Sequence, residues 1–265
     1  MARPYWMSHR RFRHGERLVW MAPEAGDAFW ADFWSQRVQA AVYERLATEG
    51  LGSGFVADSL RRRLRPDGLY LEAGCGSGGW VARLKGAGHR VEGVESAADL
   101  VAMVNAEAPD LPVVQGDVRD LPCEEGTYDG YLSFGVVEHD EEGPERFLSE
   151  AHRVIKPGGF AVITVPHFGF TRRRIHRRSQ PMTPEAGEAF FQYAFTQKEF
   201  VDLIRAAGFT IDAVRTMHFD RMLHEEWWWY ACHIDRRWMK PIRRSLDRLL
   251  SRFDGHMLAV VATRP

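Results

Sequence analysis

The chain has 265 residues, 45% of them apolar and 27% charged, with a formal net charge of −1. That is the profile of an ordinary folded protein with a substantial core, and it excludes a disordered, fibrous or strongly polycationic chain. Three scattered cysteines exclude a disulfide framework or a zinc site, and no apolar run approaches the roughly 20 residues needed to cross a bilayer.

Charge is unevenly spread. Residues 1–167 hold 18 Lys and Arg against 25 Asp and Glu, whereas residues 168–265 hold 17 against 11. This asymmetry hints at an anionic partner for the C-terminal part. Residues 1–10 are basic but lack the apolar core of a signal peptide, so a reducing, cytoplasmic setting is expected.

In chain order, residues 1–26 read as a loosely held basic and aromatic arm. From Asp27 to Glu49 the pattern Phe29, Trp30, Phe33, Trp34, Val38, Val42, Leu46 predicts one amphipathic helix, its aromatic stripe suited to packing or to a lid. A second helix is expected over Phe55–Leu64, ended by Pro66-Asp67-Gly68. Strands are then predicted at Leu69–Ala73, Arg90–Glu95, Pro112–Gln115, Tyr128–Ser133 and Phe160–Val165. Helices fall between most of them, at Trp80–Gly86, Ala97–Glu107 and Pro144–Ile155. Such alternation predicts a doubly wound parallel sheet with helices on both faces. Residues 167–194 break the rhythm with a basic insert. A helix at Thr196–Ala207, a strand at Phe209–Met217, a helix at Asp235–Phe253 and a last strand at His256–Thr263 complete a single domain.

The loop after the first of these strands, Glu72-Ala-Gly-Cys-Gly-Ser-Gly-Gly79, lets main-chain N–H groups and a helix N-terminus face a ligand. Gly74, Gly76 and Gly79 also satisfy a dinucleotide pattern, so the loop alone does not name its ligand. A carboxylate at Glu72 suits hydroxyls or a positive charge and would repel a pyrophosphate. Glu95 ends the second strand, where it can accept two ribose hydroxyls. Asp117, in Gln115-Gly116-Asp117-Val118, is positioned for an adenine amino group, and Phe134 follows the fourth strand.

Taken with Phe134-Gly-Val-Val-Glu-His139 and Arg153-Val-Ile-Lys-Pro-Gly-Gly159, these motifs resemble class I S-adenosylmethionine-dependent methyltransferases. The likeness is to the small-molecule branch typified by quinone-biosynthesis methyltransferases and covers about residues 68–166. The resemblance implies a Rossmann-like seven-stranded sheet of order 3-2-1-4-5-7-6, with the last strand antiparallel. It implies S-adenosyl-L-methionine as cofactor, held by Glu72, Gly74, Cys75, Gly76, Gly78, Glu95, Ser96, Gly116, Asp117, Val118 and Phe134. Two other readings of the acidic set stand beside it: Glu72 capping loop amides, and Glu95 and Asp117 as solvated turn residues.

For methyl transfer to a small-molecule or lipid-linked acceptor, at oxygen or else at nitrogen or carbon, Glu138 and His139 are the candidate acid–base pair, with His167 a weaker second. A non-catalytic cofactor-binding scaffold is the rival from another class. The run Arg172-Arg-Arg-Ile-His176-Arg-Arg178 is either a recruiting patch for an anionic acceptor or a solvated loop. Phe190, Phe191, Tyr193 and Phe195 are either an acceptor pocket or lid packing. The two-faced helix Asp235–Phe253, preceded by Trp227-Trp-Trp-Tyr230, either docks its apolar face on the sheet or meets a membrane surface, the inner face if the protein is peripheral. No nucleic-acid motif and no metal set is read: His224, Glu225 and His233 lack ligand spacing.

Overall fold

The computed structural model describes residues 10–22, 27–35, 37–178, 187–233 and 239–265. The elements are β1 (Arg10–His14), β2 (Arg17–Ala22), α1 (Asp27–Ser35), α2 (Ala40–Glu49), α3 (Phe55–Arg63), β3 (Leu69–Ala73), α4 (Gly79–Gly86), β4 (Arg90–Glu95), α5 (Ala98–Glu107), β5 (Val113–Gln115) and β6 (Tyr128–Phe134). A 3-10 turn, Val137–His139, leads to α6 (Glu145–Val154), β7 (Ile155–Pro166), α7 (Phe170–Ile175), β8 (Ala189–Ala194), α8 (Gln197–Ala206), β9 (Thr210–Met217), α9 (Phe219–Glu226), α10 (Trp228–His233), α11 (Met239–Leu250) and β10 (Met257–Thr263).

The main sheet runs β5-β4-β3-β6-β7-β10-β9. Every pairing from β5 to β7 is parallel, and β10 is antiparallel to both β7 and β9. This is the expected order with a reversed last strand. Alternate strand residues feed two cores. Leu71, Ala73, Tyr131 and Ile163 pack with α6 and α8, while Tyr70, Leu132, Val162 and Val261 pack with α2–α5.

The N-terminal arm is a correction. Residues 10–22 form a hairpin that pairs through β2 with β8, giving a second sheet, β1-β2-β8. Leu18–Ala22 are all buried. The hairpin's arginines find acids far along the chain: Arg10 with Glu188 at 2.6 Å, Arg11 with Glu226 at 2.7 Å and Arg17 with Glu199 at 2.5 Å. The single helix expected over Asp27–Glu49 is two. The chain turns after Ser35, and Gln39, in extended conformation, starts α2. β7 also begins five residues before the expected Phe160, because Gly158 and Gly159 exchange main-chain bonds with Arg264 instead of ending the ladder.

Among the described residues the main contact of α11 is with a helix and not with the sheet. It packs against α9, where Arg243 meets Asp220 at 2.6 Å and Asp247 accepts from the Asp220 amide at 3.3 Å. Leu249 and Phe253, on its apolar face, are exposed. Residues 235–238 of the expected helix lie outside the described residues.

Thr196 caps α8, its hydroxyl accepting from the Glu199 amide at 3.3 Å. Thr196→Ala is expected to cost about 1 kcal/mol, read as a lower urea midpoint at unchanged m-value.

Candidate active site

The site is built where apolar strands release the chain at the carboxyl rim of the main sheet. After Ala73 the loop doubles back, and the Gly74 and Cys75 amides both donate to the Val94 carbonyl, at 2.8 and 3.0 Å. Gly74 holds φ +71°, and a Cβ there would lie 2.5 Å from Val136, so no side chain is tolerated. Gly76 holds φ +54°, with the Trp34 ring of α1 packed where a Cβ would project.

A cavity of about 730 Å³ opens on this rim. Of the sequence-predicted residues it is lined by Gly74, Glu95, Ser96, Gly116, Asp117, Val118, Phe134 and His139. Glu72, Cys75, Gly76, Gly78 and Glu138 do not line it. Cys75 is buried against Gly93 of β4, and Gly78 starts α4 with its back to Leu111 and Val113. His167 lies off the cavity, 3.3 Å from Asp254.

Glu95 is anchored by main-chain donors on both oxygens. One oxygen accepts from the Gly76 amide at 2.9 Å, and the other accepts from the Ser96 and Ala97 amides at 2.9 and 3.2 Å. It thereby ties the glycine loop to the end of β4. Glu72 is buried and accepts from the Val81 amide at 2.9 Å, capping the first turn of α4. Burial, reinforced by Glu95, pushes its carboxyl up to about 8. Asp117 is clamped by Arg119, which also reaches Asp140 at 3.0 Å. The guanidinium holds the Asp117 carboxyl below the ordinary range.

His139, also on the lining, sits in an aromatic setting. Its ring lies 4.7 Å from Trp30 and 5.2 Å from Phe191, centroid to centroid. Nδ1 is 2.7 Å from the Phe191 carbonyl, which can only accept, so Nδ1 carries the proton and Nε2 a lone pair. Burial pushes the imidazole down to about 4, outweighing that bond. Glu138 turns inward, 2% exposed, with Oε2 unpartnered among the described residues, and burial pushes its carboxyl up to about 8. The pair is therefore split: His139 faces the cavity and Glu138 faces the interior.

Sequence reasoning did not single out Arg119, Asp140, Glu141 and Phe147, which also line the cavity. The Asp-x-Arg spacing after β5 was the available signal for the Asp117–Arg119 clamp. Of the aromatic residues on the lining, Trp30 and Trp34 belong to the stripe suited to packing or a lid, and Phe190 to the set suited to an acceptor pocket or lid packing. The basic run places none of its residues on the cavity, and Arg172 is buried. The carboxylates on the lining, Glu95, Asp117, Asp140 and Glu141, outnumber Arg119, which disfavours an anionic acceptor there.

Residues 71–163 match the family described as "Methyltransferase domain". The chain is 28% identical over 182 residues to a "Probable S-adenosylmethionine-dependent methyltransferase" of Mycolicibacterium smegmatis; the match spans 68% of this chain and 61% of that protein, less than two thirds of its length. An S-adenosylmethionine-dependent methyltransferase of Methanosarcina mazei superimposes with TM-score 0.56 at 18% identity, over 78% of this chain and 96% of that one. One from Mesorhizobium loti superimposes with TM-score 0.53 at 19% identity, over 81% and 100%. Strand order, rim loops and the matched segment converge: residues 71–163 form a methyltransferase domain in a class I methyltransferase-like fold, and the likeness indicates S-adenosyl-L-methionine as cofactor.

Proposed function

We propose that this protein transfers a methyl group from S-adenosylmethionine to a small acceptor through a phenolic or enolic hydroxyl. The residues fit the adenosyl group: bare main chain at Gly74, acceptor-only carboxylates at Glu95 and Asp117, and apolar surface at Val118 and Phe134. Glu95 would take the ribose hydroxyls, and Asp117 the adenine amino group. When bound, the cofactor supplies an electrophilic methyl on a sulfonium, so the chain's task is to orient the acceptor and exclude water. Trp30, Trp34 and Phe190 are placed to do both as a lid over the cavity.

The observation that carries the reading is the His139 tautomer. An Nε2 lone pair on the wall of the same cavity as Glu95 orients an acceptor that brings a hydrogen-bond donor. A base held near 4 is weak, which favours a hydroxyl that is already acidic over a sugar hydroxyl.

Calorimetric titration with S-adenosylhomocysteine, then turnover on a pool of phenols and enols with labelled cofactor, tests this. Binding without turnover, or label on carbon or nitrogen, refutes it. His139→Ala is expected to lower turnover roughly 100-fold. The wild-type rate should stay level from pH 8 to about 5 and fall only toward 4, as Nε2 takes up a proton. A fall centred between pH 6 and 7 would mean another group governs the step.

A further inference from the structure

Five large apolar side chains, Phe170, Ile175, Trp227, Leu249 and Phe253, are between 49% and 70% exposed. They come from α7, the end of α9, and α11 with the turn after it, and two sets of bonds gather those segments. The Thr171 amide donates to Asp254 at 2.7 Å, seating Phe170 beside the turn that carries Phe253. Arg172 and His176 reach Glu226 at 2.8 and 2.9 Å, seating Ile175 beside the chain that leads to Trp227. Around them Arg173, Arg174, Arg177, Arg178, Arg248 and Arg252 are exposed, and none has an acidic partner among the described residues.

We propose that this face docks on the surface of a membrane containing anionic phospholipid. Aromatic and aliphatic side chains protruding through a ring of arginines suit the interface between headgroups and acyl chains. Six unopposed cations supply the electrostatic attraction. A nucleic acid would use the arginines and could stack on the aromatic rings, but it gives Ile175 and Leu249 nothing to bury in. Among the described residues no helix is long and apolar enough to cross a membrane, so the contact is with its surface.

The topology gives this face a direction. Met257 of β10 pairs with both Pro166, the end of β7, and Met217, the end of β9. α7, α9 and the turn before β10 therefore leave the sheet at the same carboxyl rim that holds Glu95 and the cavity. A membrane under β7-β10-β9 lies beside the cavity mouth above β3-β4-β6. The inference stands whatever the acceptor atom is, since its readout is binding alone.

The test is flotation of the full chain with vesicles of phosphatidylcholine carrying about one third phosphatidylglycerol, against phosphatidylcholine alone. Binding is expected only with the anionic lipid and should fall as salt rises. Arg173→Glu with Arg174→Glu should weaken it at least tenfold, as should Phe170→Ser with Phe253→Ser. All four positions are exposed, and an unchanged thermal midpoint shows that the fold is kept. The proposal is overturned if the wild type fails to float at low salt, or if the Phe170/Phe253 variant floats as well as the wild type. It is equally overturned if polyuridylate binds more tightly than the vesicles do.

Discussion

Glu95→Ala is expected to weaken binding of S-adenosylhomocysteine about 100-fold. Two hydroxyl bonds to a charged acceptor contribute about 1.5 kcal/mol or more each, and a loss of about 3 kcal/mol corresponds to that factor. The same carboxylate accepts three main-chain N–H groups, from Gly76, Ser96 and Ala97. Its removal thus loosens the glycine loop as well as the ribose. Glu95→Gln separates the two effects. The amide keeps one acceptor oxygen and the side-chain shape, so the loop is partly retained, and a roughly tenfold loss is expected. Titration calorimetry reads both variants, with a melt in the absence of ligand to show that β4 still pairs. A loss below threefold for Glu95→Ala would move the ribose elsewhere in the cavity and remove the reading of Glu95.

The legible part of this chain is the part whose determinants are local. β3 and β4 end where expected, at Ala73 and Glu95, because apolar runs there stop at residues that only a turn accommodates. Cavity-lining Glu95, Asp117 and Phe134 follow from the rule that ligands meet strand ends, and the sheet order followed from the family likeness.

What escaped depends on residues far apart. The β1–β2 hairpin reads as a basic arm because its arginines look solvated. Their acids, Glu188, Glu199 and Glu226, lie some 180 to 215 residues away, and β2's third-strand partner is β8. Arg172 reads as one member of a basic run, and nothing within that run distinguishes it from Arg173. Only α9, arriving more than fifty residues later with Glu225 and Glu226, turns it inward. The site shows the same split. The His139 ring is legible as a polar residue after β6, but its tautomer is set by the carbonyl of Phe191.

Arg172→Met is expected to be the most destabilising single change outside the two main cores, at about 3–5 kcal/mol near pH 7. The guanidinium is wholly buried. It donates to Glu225 at 3.0 Å and Glu226 at 2.8 Å, and to the carbonyls of His167 and His256 at 2.9 and 3.1 Å. Methionine fills the volume but leaves two buried carboxylates short of a cation, so the cost is electrostatic rather than a cavity. Lysine should not rescue it, since a point charge cannot serve both glutamates and two carbonyls at once.

The pH dependence gives the signature. Burial alone would raise both carboxyls. Glu226 is instead held down to about 2 by His176, Arg172 and Arg11, and Glu225 is held well below the carboxylate range. His256, Arg172 and Arg221 all lie against Glu225 and together offset its burial. Carboxyls depressed in the folded state stabilise it above their unfolded value of about 4.3 and lose that contribution as pH falls toward 2. Without Arg172, burial gains weight and both groups shift upward, so folding of the variant is penalised most where they are ionised. The gap between wild type and variant should therefore be widest at neutral pH and narrow by pH 4, in urea titrations at the two values. A gap below 1 kcal/mol, or one that does not change with pH, would mean that water reaches these carboxylates and that the α7–α9 contact rests on packing with Trp20 and Phe168.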